Sequence, residues 1–273
     1  MKILEEYKEG KAGEKECEDE LFLSKHFVAV IDGVTSKSDF RYQGKTTGKL
    51  AAETIRFVFE GLKGGENFRE VENRINQAYD QIYQKISFPY SCREKGLQAA
   101  AVIYSANARE IWMVGDCQAA VDGQIYENPK KSDLILSQMR SLILRSLEMA
   151  GEITQEEILA GKDPGREAIL PWILKTTIYG NNVENEYGYS VFNGERIPDK
   201  LVQVIKLDEN CHEVILASDG YPKLKATLEK SEDALGKILK ADPGCYKLYL
   251  STKGVIKGNS SFDDRTYIRF LTD

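Results

Sequence analysis

The stretch FVAVIDG, residues 27–33, decides how this chain is read. Five apolar residues run without a break from Phe27 to Ile31, too few for a helix and rich in β-branched side chains, so the run reads as a buried strand. Asp32 and Gly33 end it. Upstream, residues 21–31 read as a hairpin that bends at Ser24 and Lys25. Downstream, a polar loop leads into two amphipathic segments, at residues 45–63 and 67–86. Their apolar residues recur at helical spacing, as in Phe68, Val71, Ile75, Ala78, Tyr79 and Ile82.

Strands resume at residues 98–104, 110–114 and 118–121, and Asp122-Gly123 forms a two-residue turn into residues 124–126. Such turns join antiparallel strands only. Residues 134–149 read as a helix and residues 155–159 as a short one, while residues 167–174 are ambiguous around Pro171. Residues 179–193 read as a polar loop in which Tyr187, Gly188 and Tyr189 are ordinary turn chemistry. Beyond it, residues 201–207 and 213–217 read as a strand pair across a turn at 208–210, followed by a helix at 231–240 and a strand at 266–271. Hairpins with inserted helices indicate an α+β domain whose helices cover an antiparallel core, in one sheet or two. With no repeat and no Pro/Gly/Ser-rich linker, residues 1–273 read as one domain.

Composition narrows the function classes. A net charge of −6 offers no basic face to nucleic acid or to an anionic membrane, so neither is an expected partner. Residues 1–13 are rich in Lys and Glu without an apolar signal segment, and no apolar run reaches membrane-span length, which makes the cytoplasm the expected compartment. The five cysteines are scattered without a CxxC spacing. His26 and His212 are the only histidines, both in strand-like surroundings, and read as structural.

The chemistry lies in a repeated setting. FVAVIDG ends at Asp32, IWMVGD at Asp116 and VILASDG at Asp219, while FDDRTYIRF opens a strand just after Asp263 and Asp264. If those strand ends share a rim, carboxylates converge, and two charges about 4 Å apart repel by about 4 kcal/mol at a surface-like dielectric. A divalent cation relieves that repulsion. Oxygen donors without Cys or His select hard ions, Mg²⁺ or Mn²⁺ before zinc, with Ca²⁺ also compatible. Taken singly, each Asp-Gly is a turn signal, and Asp122 is read as nothing more.

In order and residue type these segments resemble the type 2C, metal-dependent protein serine/threonine phosphatases. The resemblance rests on Glu18-Asp19, Asp32-Gly33, the GDS-like Gly115-Asp116-Cys117, Ser218-Asp219-Gly220, and Asp263-Asp264-Arg265-Thr266. It implies a sandwich of two antiparallel sheets flanked by helices, in four layers, with a binuclear Mg²⁺ or Mn²⁺ site at one end. By motif position, Asp32 would bridge two ions, Gly33 would lend its carbonyl, Asp219 and Asp263 would complete one shell, Glu18 would act through water, and Asp116 would hold a third ion. Asp19 and Asp264 would support them. The implied reaction is dephosphorylation of phosphoserine or phosphothreonine in a phosphoprotein by metal-activated water, with Cys117 a small strand residue rather than a nucleophile.

Three departures from the family pattern stand out. The loop after Gly33 reads Val34-Thr35-Ser36-Lys37, and Glu14 stands where the family places a phosphate-binding Arg, leaving Lys15 and then Lys37 as substitutes. Residues 126–200, where family members carry a substrate-facing flap, are divergent. The altered loop and the absent Arg motivate an alternative expectation, a catalytically weak pseudophosphatase that binds a partner or ligand.

Overall fold

The computed structural model describes residues 1–272, and the expected sandwich is present. One sheet contains β1 (Lys2–Glu9), β6 (Gln118–Val121), β7 (Gln124–Tyr126), β9 (Glu213–Ala217) and β10 (Arg265–Leu271), in the order β1-β10-β9-β6-β7. The second contains β2 (Asp19–Leu23), β3 (Phe27–Gly33), β4 (Ala99–Ser105), β5 (Glu110–Val114) and β8 (Gln203–Lys206), in the order β2-β3-β4-β5-β8. Every pairing is antiparallel.

The unbroken run in β3 has a direct cause. Alternate residues point to opposite faces, and here both faces are covered. Val28 and Val30 pack between the sheets with Met113, Leu216, Ile268 and Phe270. Phe27, Ala29 and Ile31 face the other way, against α1 (Thr47–Glu60) and α2 (Phe68–Lys85). Both helices are capped as their sequences suggest, with Thr46 accepting from the Lys49 amide and Asn67 forming a capping box with Glu70. On the far side, Tyr221, Leu224, Tyr267 and Leu228 form the smaller outer core.

Two strand assignments change in space. Residues 203–206 and 213–217 do not pair with each other: β8 joins β5 in one sheet, and β9 lies between β10 and β6 in the other. The connection at 208–212 therefore crosses between sheets, as does Gly115-Asp116-Cys117 between β5 and β6. Gly115 makes the second crossing possible, with φ of 81° and no room for a side chain beside Ala100.

After a short turn of helix, α3 (Cys92–Lys95), the remaining helices are α4 (Lys131–Met149), α5 (Gln155–Leu159), α6 (Pro164–Lys175) and α7 (Leu228–Ala241). Pro171 lies inside α6 rather than breaking it. Arg140, fully buried on α4, fixes this helical insert: its guanidinium donates to Asp163 and to the carbonyls of Gly244, Cys245 and Ser251. The insert and the loop around residues 244–253 are thereby held as one wall over the end of the sandwich.

Candidate metal centre

All the rim aspartates lie at that same end. Asp32 closes β3, Asp219 follows β9, and Asp116 sits in the crossing from β5 to β6. Carboxylate oxygens of Asp32, Asp116 and Asp219 lie within 4.8 Å of one another. Among the described residues no hydrogen-bond donor reaches the Asp32 or Asp219 side chain. Burial raises both carboxyls well above their ordinary range, and repulsion among Asp19, Asp32, Asp116, Asp219 and Asp263 adds to it. A half-buried set of oxygen donors, of which only Asp116 has an internal partner, Lys130, fits a hard divalent cation. Gly33 abuts the start of α1 so closely that a side chain there would strike the Gly48 carbonyl, its Cβ 2.2 Å away.

The opposite flank is saturated. Lys11 Nζ lies 3.1 Å from Asp263 Oδ1, 3.3 Å from Asp264 Oδ2 and 3.8 Å from Glu18 Oε2. Lys253 Nζ lies 2.5 Å from the other oxygen of Asp263. Burial works to raise the Asp263 carboxyl, yet the Lys253 and Lys11 ammoniums prevail and hold it well below the usual carboxylate range. Glu18 accepts from the Thr46 hydroxyl at 2.6 Å and from the Ser36 amide at 3.3 Å. Asp264 accepts the backbone amides of Lys11 and Glu18, so it ties the N-terminal loop to β10. Asp19, pushed up to about 8 by burial and by Asp264, accepts from Thr266 through one oxygen and leaves the other buried without a partner.

A cavity of about 380 Å³ opens onto the bare carboxylates. Asp32, Asp116, Asp219 and Asp263 line it together with Lys37, Lys130, Arg166 and Lys253. Lys130 lies 3.0 Å from Asp116 and 5.3 Å from the centre of the Tyr189 ring, so Tyr189 belongs to the cavity wall while Tyr187 packs at a tilt against Tyr179. The Lys37 amine donates to the Thr35 carbonyl, and burial, with Arg166 and Lys253 nearby, lowers it to about 7. Lys15 is elsewhere. It is exposed in a single 3₁₀ turn and meets Lys49 through its own carbonyl, outside the cavity lining, as does exposed Glu14. The cations the sequence reading missed, Lys11, Lys130, Arg166 and Lys253, occupy no motif, and nothing in their local sequence marks them. The Cys117 thiol is buried and raised well above its ordinary value by burial and by Asp32, Asp116 and Asp219, which keeps it protonated.

No protein-family model matches the sequence, and no curated protein matches it either. Solved structures do match over the whole chain. The Mycobacterium tuberculosis serine/threonine phosphatase PstP/Ppp superposes with a TM-score of 0.50 at 11% identity, covering 100% of both chains. The fold is that of the type 2C phosphatases. The Staphylococcus aureus phosphatase Stp1 matches at 16% identity and a TM-score of 0.50, covering 98% of this chain and 94% of its own. The PstP catalytic domain with two manganese ions matches at 13% identity and a TM-score of 0.50, covering 100% of both chains. In this type 2C fold the acidic cluster lies at one end of the sandwich, where the chain crosses between the sheets.

Proposed function

We propose that this chain is a metal-dependent phosphoester hydrolase acting on phosphoserine or phosphothreonine in proteins. The observation that carries this reading is the convergence of Asp32, Asp116 and Asp219 beneath a cavity that also presents Lys37, Arg166 and Lys253. Carboxylates at the floor suit a cation, and ammonium and guanidinium groups at the wall suit the oxygens of a phosphate. A Mg²⁺ or Mn²⁺ ion held there would lower the pKa of a bound water and stabilise charge on the phosphoryl group. Asp32 and Asp219 would hold the ion, with the Gly33 carbonyl and Asp116 beside them. Lys37 and Arg166 would orient the phosphate, and residues 126–200 would face the rest of the substrate. Two solved structures of this fold are named serine/threonine phosphatases, and one holds two manganese ions, which supports the assignment.

Purified protein is expected to hydrolyse an aryl phosphate with Mn²⁺ or Mg²⁺ and to stop in EDTA. Undiminished turnover in EDTA, with metal removal verified by elemental analysis, refutes it. The pseudophosphatase reading is favoured by one observation, the lysines already seated on Asp116 and Asp263. It predicts phosphopeptide binding without turnover in the same assay.

A further inference from the structure

We infer that Lys11 and Lys253 stand in for one divalent cation, so that the centre takes a single tight ion on Asp32, Asp219 and Asp116. This rests on the metal-centre reading above and sets the number of ions.

The two flanks of the acidic cluster are compensated differently. Around Lys11 Nζ are oxygens of Asp263, Asp264 and Glu18 and, at 3.4 Å, the Thr35 hydroxyl. An ammonium ringed by three carboxylates occupies the kind of oxygen-rich position that a cation takes. Its backbone is fixed as well. The Lys11 amide donates to Asp264 Oδ1 at 2.8 Å, and its carbonyl accepts from the Ser260 amide at 2.9 Å. The turn that presents it closes through the Gly13 amide on the Gly10 carbonyl, with no space for a side chain at Gly10.

Lys253 completes the pair. It reaches the second oxygen of Asp263, and at 3.0 Å it shares the Thr35 hydroxyl with Lys11. Two ammonium groups supply the charge of one divalent ion. Because the side chains of Lys11, Asp263, Asp264 and Glu18 are at most 17% exposed, solvent and salt screen these pairs little. An ion entering this flank must displace them. On the other flank Lys130 pairs with Asp116 at 3.0 Å, but among the described residues no ammonium pairs with Asp32 or Asp219, so an ion entering there displaces Lys130 alone.

Metal-stripped protein titrated with Mn²⁺ is expected to bind one tight ion, by calorimetry and elemental analysis. Its paramagnetic resonance spectrum should be that of an isolated Mn²⁺ rather than of a spin-coupled pair. Replacing both lysines (Lys11→Met with Lys253→Met) should open the Asp263 flank, raise the stoichiometry towards two and produce the coupled spectrum. Asp263→Asn should lower the tight ion's affinity by no more than about a hundredfold, the upper scale of an outer partner, whereas Asp219→Asn should lose it. Two tight ions in the wild-type protein overturn the inference and leave the metal-centre reading intact, while no bound ion overturns both. A folded double variant that still binds only one ion overturns the role of the lysines. Should that variant not fold, the wild-type stoichiometry and Asp263→Asn decide.

Discussion

Asp219 and Asp263 both stand at strand ends on the same rim of the same sandwich, and their carboxylates live in opposite worlds. Asp219 lies half-buried beside Asp32 and Asp116, with no donor among the described residues, and its carboxyl is pushed up by desolvation and by its neighbours. Asp263 carries an ammonium on each oxygen and is held low. The residue type is therefore not what makes a metal ligand. What matters is whether the fold has already supplied the charge that the carboxylate needs.

The most direct way to break this comparison is to neutralise the bare side. Asp32→Asn should weaken Mn²⁺ binding and aryl phosphate turnover by at least about a hundredfold, more than the loss of an outer partner. The same substitution should raise the melting temperature of metal-free protein at neutral pH by a few degrees. The sign follows from the raised carboxyl. With its folded-state pKa above the unfolded value, the group binds a proton more tightly in the folded state, so stability falls as pH rises through and beyond the ordinary range near 3.8. The advantage of Asp32→Asn should accordingly vanish below that range. A metal-free Asp32→Asn protein no more stable than wild type at pH 7 would show that the carboxylates are not uncompensated.

A smaller effect sharpens the comparison from the cation side. Lys37 is lowered to about 7 by burial, Arg166 and Lys253, so it is charged below that pH and increasingly neutral above it. The KM for an aryl phosphate should therefore climb as pH rises through about 7. Lys37→Met should raise KM by up to about tenfold at pH 6 with kcat little changed, and Lys37→Arg should flatten the pH profile of KM. A pH-independent KM in the wild-type protein removes Lys37 from phosphate binding.

The smallest effect is expected at a carboxylate outside the centre. Asp122 adopts φ of 46° in the turn from β6 to β7 and accepts the Glu213 amide at 2.8 Å. An Asn tolerates that backbone and can accept the same bond, so Asp122→Asn should change stability by less than about 0.5 kcal/mol and leave turnover unaltered. A large loss of activity there would spread the functional region to the far rim.

Much of this architecture is written locally. The run Phe27–Ile31 is apolar at every position because both faces of β3 are covered, and the caps at Thr46 and Asn67 mark where helices begin. The ordered Asp-bearing strand ends located the rim. Edge strand β1 escaped because most of its residues are partly or fully exposed, so its Lys- and Glu-rich sequence carries no strong burial pattern. The pairing of residues 203–206 with 213–217 failed for another reason: a short connection between two strands looks the same whether the chain returns along one sheet or crosses to the other. Sequence alone thus determined which carboxylates reach the rim. Only the tertiary structure decided which of them remain bare, because Lys11 meets Asp263 across most of the chain's length, and charge compensation at that separation leaves no periodicity, spacing or local composition to read.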